Sequence, residues 1–154
     1  AITYDLGLDA GFARQDIARL SPHAVLAADH ALATRTSLSL SDLAAHPLIL
    51  ADQGLSVGHM RALFTRAGLV PQIAHRAASL ELMRSFAANG LGIGLSYSRP
   101  APGQSYDGRA LVTCPITDAG PGEPVVLVRH RGNPLSASAE SLAALITGGA
   151  PLLQ

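Results

Sequence analysis

One of the 154 residues is a cysteine, none is a tryptophan, and aromatic residues make up 4% of the chain. The single thiol, Cys114, excludes an intrachain disulfide, and no Cys/His cluster has zinc spacing, so no metal site is expected and a reducing compartment, the cytoplasm, fits best. Charge is sparse as well: charged residues are 14%, and Lys plus Arg balances Asp plus Glu at 11 each. This balance argues against a nucleic-acid interface within the chain, a phosphate-binding surface or an acidic substrate. No apolar run is long enough to cross a bilayer, and the first residues lack the basic segment and apolar core of a signal peptide. A soluble, unexported chain with no membrane partner is the expectation. An initiator Met and a polar lead-in are also missing. AITYDLGL opens directly as a strand-like segment, so an amino-terminal portion is expected to precede it, with strands that would pair with edges left open here.

What the chain does have is glycine, 15 in all, and its most telling use is SLELMRSFAANGLGIGLS, residues 79 to 96. Leu82, Met83, Phe86 and Ala87 share one helical face, Ser79 can cap the amino end, and Gly90 stands where a left-handed stop belongs. The order is helix, glycines, strand. A dinucleotide fingerprint needs strand, glycines, helix, so that free helix N–H groups face a pyrophosphate. Gly90, Gly92 and Gly94 therefore read as a helix exit and a strand lying close under packed backbone, and no cofactor is expected.

Around this unit the periodicities alternate. Strand candidates lie at Ile2 to Tyr4 and His23 to Ala28, separated by a polar stretch that begins near Asp9. Ser39 or Ser41 can cap a short helix ending before Pro47, and PLILA is a short buried strand. Ser56 is placed to cap a helix whose Met60, Leu63, Phe64 and Ala67 recur at helical spacing before Gly68. QIAHRAA is extended, and the glycine-linked helix and strand complete a β-α-β-α-β series, the pattern of a mostly parallel, helix-covered sheet. After Arg99 comes a turn-rich loop, PAPGQSYDG, then strands at LVTCPIT and VVLV. A last helix, capped near Ser136 or Ser138, should turn Ala139, Leu142, Ala143 and Ile146 inward and stop at Gly148 and Gly149.

Taken in order, TYD, LAADHALA, SLSLSDLAAHPLIL, LFTRAGLVPQI, SLELMRSFAANGLGIGLS and SYDG resemble the effector-binding domain of LysR-type transcriptional regulators. The resemblance runs from about Ile2 to Ile146. It implies an α/β, two-lobed, periplasmic-binding-protein-like (type 2) fold with the second lobe complete and the first partial. Residues 1 to 35 with 124 to 154 would form the partial first lobe and residues 36 to 123 the second, with crossings near Ala28 to Thr36 and Pro121 to Val128. It further implies a small-molecule effector in an interlobe cleft, a homodimer or higher homo-oligomer, and DNA binding through a helix-turn-helix domain absent from this chain. A solute-binding protein of the same architecture is the alternative, since fold alone does not fix function.

Such a cleft holds anions through helix amino termini and hydroxyls, where unpaired N–H groups carry partial positive charge. Ser56, preceded by Gln53 and Gly54, is the first candidate; capping its own helix explains it equally well, and both roles can hold. Thr3, Tyr4 and Asp5 end a strand and divide evenly between a cleft role and ordinary turn polarity. Ser79 at the other helix start and Ser96 with Tyr97 at the end of the glycine strand complete the effector-binding set. The six histidines form no i, i+4 pair, and His30 and His46 read as turn and helix-end residues. No catalytic residue is expected: Ser56 lacks a nucleophile-elbow context and Cys114 has no basic partner close in sequence. Arg61, Arg66, Arg76 and Arg84 read as solvated faces or rim residues.

Overall fold

The computed structural model describes residues 1–99 and 103–148. The chain forms two compact units, one of Ala1–Leu20 with Gly122–Gln154 and the other of Ser21–Pro121.

The smaller unit is an antiparallel sheet of three strands, β1 (Ile2–Tyr4), β2 (Phe12–Leu20) and a later strand, Glu123–His130, that lies between them. β2 is the polar stretch that the sequence pattern left outside the strands. Its Arg14, Gln15 and Asp16 are exposed while the adjacent pairs Phe12–Ala13 and Ile17–Ala18 are half-buried, so burial does not alternate along a strand whose composition is polar. The register shifts between Asp16 and Ala18, a bulge that blurs the alternation further.

The larger unit is a five-stranded sheet. Its strands are β3 (His23–Ala27), β4 (Pro47–Ala51), β5 (Gln72–Ala77), β6 (Ile93–Ser96) and β7 (Leu111–Pro115), in the order β5-β4-β6-β3-β7. β4 pairs in parallel with both β5 and β6, as the β-α-β-α-β pattern required, and β3 runs antiparallel to β6 and β7. β3 thus belongs to this sheet, whereas the sequence reading set the lobe boundary after residue 35. All five of its residues are buried, and a strand covered on both faces needs a sheet with helices on each side.

Three helices cover the larger sheet: α1 (Leu40–Ala44), α2 (Ser56–Arg66) and α3 (Leu80–Ala88). Alternation along the strands sorts the core. Leu26, Leu48, Leu50 and Ile93 meet Leu40, Leu43, Leu63 and Phe64 of α1 and α2, while Val25, Ile49 and Ala77 meet Met83 and Ala87 of α3. Two expectations for α3 change. Leu82 lies 39% exposed, and Arg84, expected in solvent, is buried with Nη2 donating to the Gln104 carbonyl at 2.8 Å. The inward stripe is shifted towards Arg84 and Ala88 because the segment after β6 folds back over that side of the helix.

α1 is held by a capping box. Ser39 Oγ accepts from the Asp42 N–H, and the Asp42 carboxylate accepts from the Ser39 N–H at 2.9 Å; Asp118 accepts from the Leu40 N–H at 2.8 Å. A five-residue helix has little internal cooperativity, so Ser39→Ala is expected to lower stability by about 1 kcal/mol in urea unfolding, with an unchanged m-value.

The strand of the smaller unit that follows is β8 (Glu123–His130), and α4 (Ala137–Gly148) comes after it. Ser136 Oγ accepts from the Ala139 N–H at 3.3 Å, which selects Ser136 as the cap. Ala139, Leu142, Ala143 and Ile146 line an apolar cavity of 330 Å³ together with Leu127 and Leu135, so the expected face does point at the sheet. None of α4 is buried, however, and Leu142 is 58% exposed. A sheet of three strands, one of them only three residues long, is too narrow a platform to cover a helical stripe. The expected stop at Gly149 and the tail lie outside the described residues, as do Pro100, Ala101 and Pro102 of the turn-rich loop.

Candidate functional site

Because β4, β5 and β6 are parallel, their carboxyl ends at Ala51, Ala77 and Ser96 share one edge of the sheet. α2 begins just after β4 and α3 just after β5, so both helix amino termini open at that edge. This is where parallel α/β sheets place ligands, since N–H groups without helical partners converge there.

The two helix starts are built differently. In α3, Ser79 is the cap and its Oγ accepts from the Leu82 N–H at 3.1 Å. In α2, Leu55 occupies the cap position and, among the described residues, no side-chain cap hydrogen bond is made. Ser56, expected to cap this helix, is instead its first residue. Its Oγ donates to the Ala51 carbonyl at 2.6 Å and accepts from the Gln53 N–H at 3.1 Å, pinning the loop of Gln53 and Gly54 against the end of β4. The displacement by one position follows from the tight turn: the Ser56 N–H bonds back to the Gln53 carbonyl at 3.1 Å, which already starts the helical path at Leu55. The hydroxyl is thereby used on the loop, and the amino end of an 11-residue helix keeps an uncapped first turn.

β6 brings the other polar groups. Ser96 is buried; its Oγ donates to the Ser98 carbonyl at 2.9 Å and accepts from the Ser98 N–H at 3.0 Å, closing a tight turn around Tyr97. The Tyr97 hydroxyl meets His59 Nε2 at 3.1 Å, with the rings 5.6 Å apart. His59 lies one turn into α2, three residues after Ser56. It was absent from the effector set expected from sequence, although S-x-x-H at a helix start places both residues at the same end of the helix.

Thr3, Tyr4 and Asp5 belong to the smaller unit. Thr3 and Tyr4 pair with Val126 and Val125 of β8. Asp5 receives an ion pair from Arg14 at 3.3 Å, and its N–H donates to the Pro124 carbonyl at 3.1 Å. Of the nine candidates, Gln53, Gly54, Ser56, Ser79, Ser96 and Tyr97 lie in the larger unit, and three lie in the smaller one.

Other titratable groups are set for structure. Cys114 is buried, its thiol donates to the Arg35 carbonyl at 3.2 Å, and burial pushes its pKa up, against use as a nucleophile. The His30 and His46 rings meet edge to face at 5.3 Å, and burial followed by the neighbouring His46 holds His30 below its usual pKa. Asp107 is held well below the usual carboxylate range by hydrogen bonds from Ser105, then Asn89 and Ser85, which fasten its loop to α3. Among the described residues no group of three or more His, Cys, Asp or Glu could hold a metal ion, and no helix is long and apolar enough to cross a membrane.

Comparison with known proteins gives a consistent picture. The family model described as the LysR substrate binding domain matches residues 1–150. The C-terminal domain of a probable LysR family transcriptional regulator from Rhodococcus sp. RHA1 is similar at 34% identity and a TM-score of 0.86, covering 95% of this chain and 72% of that one. The BenM effector binding domain with its effector benzoate shares the fold at 22% identity and a TM-score of 0.77, over 94% of this chain and 66% of that one. The transcriptional regulator SsuR of Burkholderia cenocepacia is 33% identical over 67 residues, which are 43% of this chain and 22% of that protein. The match therefore spans less than a quarter of that relative's length.

Proposed function

We propose that this chain, which belongs to the LysR substrate-binding domain family and has its periplasmic-binding-protein-like type 2 fold, is the effector-sensing part of a DNA-binding transcriptional regulator and takes a small anionic molecule. The family is one of transcriptional regulators, which favours this reading over a solute-binding protein. Among the described residues no convergent nucleophile, base and acid favours a catalytic reading in its place.

The observation that carries the anionic preference is the uncapped amino end of α2 beside the pinned Gln53–Ser56 loop, with the Tyr97 hydroxyl and His59 at the same end of the sheet. Partial positive charge there favours a carboxylate or similar group by about 0.3–1 kcal/mol, more where water is excluded. BenM's effector, benzoate, is a carboxylate and offers a starting compound. The parts of the regulator that read DNA would receive the signal as a population shift that effector binding biases. A cytoplasmic homodimer follows from the same reading.

Calorimetric titration with small carboxylates and their neutral methyl esters tests the charge preference. At least one acid is expected to bind ten times or more tightly than its ester, about 1.4 kcal/mol, and Ser56→Ala to weaken it by releasing the loop. Equal affinity of acids and esters would sink the anionic reading.

A further inference from the structure

Between β3 and α1 the chain is folded into consecutive turns, with the His30 N–H donating to the Ala27 carbonyl at 3.1 Å, Ala33 to His30 at 2.8 Å and Arg35 to Leu32 at 3.1 Å. One closure in this segment is made by a side chain. His30 Nδ1 accepts the Leu32 N–H, two residues on, at 3.1 Å. This is the ring that an Asn or Asp closes in an Asx-turn, with Nδ1 standing where Oδ1 would. The same closure recurs at the end of β8, where His130 Nδ1 accepts the Gly132 N–H at 3.2 Å. Imidazole therefore serves as a turn acceptor in both units.

A backbone N–H only donates, so Nδ1 has to keep its lone pair and the neutral His30 ring carries its proton on Nε2. The next proton has one place to go. On Nδ1 it would set two donors against each other at the 3.1 Å now spanned by a hydrogen bond. An Asn in this position could never lose its acceptor; a histidine loses it on charging. His30 is the half-buried case, with the ring of His46, just past the end of α1, edge to face at 5.3 Å, whereas His130 is exposed. The titratable groups that bear on His30 are His46 and, on its own turn, Asp29: burial and then His46 oppose a charge on the ring, Asp29 favours it, and the net effect is a lowered pKa. Asp42 of α1 lies in the field of His46 and is itself held by Ser39 and Arg35.

We infer that the His30–Leu32 turn is an acid-opened clasp: a proton on Nδ1 withdraws the acceptor of the Leu32 N–H, the ring swings away, and the connection from β3 to α1 loosens at Leu32. What the clasp holds is a seat on the core, since the Leu32 side chain packs against the cluster that α1 and α2 form with the sheet. Its release reaches Arg35, whose N–H rests on the Leu32 carbonyl and whose guanidinium meets Asp42 at 3.4 Å. The clasp is a property of the larger unit and stands whether or not an effector is bound.

Nuclear magnetic resonance of this chain tests it, with the ring nitrogens of His30 and the amide of Leu32 followed from about pH 7.5 to about 5. At the upper end the ring is expected as the Nε2–H tautomer. Its midpoint should fall below that of a histidine in an unstructured peptide, because burial and then His46 oppose the charge. As the ring charges, exchange at Leu32, corrected for its intrinsic pH dependence, should rise about fivefold, the weight of one hydrogen bond. The amide of Leu50 should not change. His30→Asn should keep Leu32 closed over the whole range, since Oδ1 accepts and does not titrate, and His30→Ala should leave it open over the whole range. An Nδ1–H tautomer at neutral pH, a Leu32 amide that ignores the titration of the ring, or acid-dependent opening in either variant would each overturn the clasp.

Discussion

Gly92→Ala is expected to destabilise the chain by about 2–4 kcal/mol, and Gly94→Ala by about 1–3 kcal/mol. The two glycines sit where the strand after α3 enters the sheet, and each is required for a different reason. At Gly92 the backbone has φ +150°, and a Cβ would lie 2.5 Å from the Pro47 carbonyl oxygen and 3.1 Å from its carbon. Backbone of β4 cannot retreat without breaking the parallel pairing of Leu48 with Ile93. At Gly94 the conformation is ordinary, but a Cβ would stand 2.1 Å from Met83 Sδ and 3.3 Å from Val25 Cβ. A thioether is adaptable, yet Met83 is fully buried, so its displacement has to be passed on to Val25 or Ile49. Gly58→Ala is the contrast: it is helical, nothing lies within 4 Å of its Cβ, and it should gain up to about 1 kcal/mol. Urea unfolding of the three variants, compared at constant m-value, reads all three signs.

Acid should cost this fold stability through His23. Its pKa is about 4 when folded, lowered first by burial and then by Arg99 and Arg84, against roughly 6.5 when unfolded. A histidine depressed in this way contributes fully above the unfolded value and loses that contribution as pH falls, because the unfolded chain takes up the proton first. Between pH 7 and pH 5 the loss is about 2 kcal/mol. His23→Gln should remove that part of the slope. Denaturation midpoints at the two pH values, for parent and variant, check it: parallel slopes would mean that the ring is already charged or already solvated in the native state.

Much of the architecture is legible in the residues, and the exceptions have physical causes. The β-α-β-α-β series is visible because β4, α2, β5, α3 and β6 each bury a face that matches their own period. β2 escapes because its half-buried residues come in adjacent pairs, Phe12–Ala13 and Ile17–Ala18, around exposed Arg14, Gln15 and Asp16, and the register shift between Asp16 and Ala18 breaks any period of two. Arg84 looks solvated on a helical wheel, and what helps bury it is a loop whose Gln104 lies 20 positions away in sequence order, a contact no local pattern announces. In the candidate site, the helix starts at Ser56 and Ser79 are readable from serine followed by an apolar repeat. That one serine caps and the other pins a loop depends on the turn at Gln53 to Ser56, which shifts the cap to Leu55. The pairing of His59 with Tyr97 joins two elements 38 residues apart and needed the parallel sheet to bring their ends together.

Amide shift mapping of this chain titrated with a small carboxylate such as benzoate tests the central claim most directly. Binding at the amino end of α2 should move the amides of Gly54, Ser56, Val57 and Gly58 together with Tyr97, in one saturable process, and leave Ser39 and Leu40 at the start of α1 unmoved. Saturable shifts confined to other surfaces, or none at the α2 start for any acid that calorimetry shows to bind, would contradict the account.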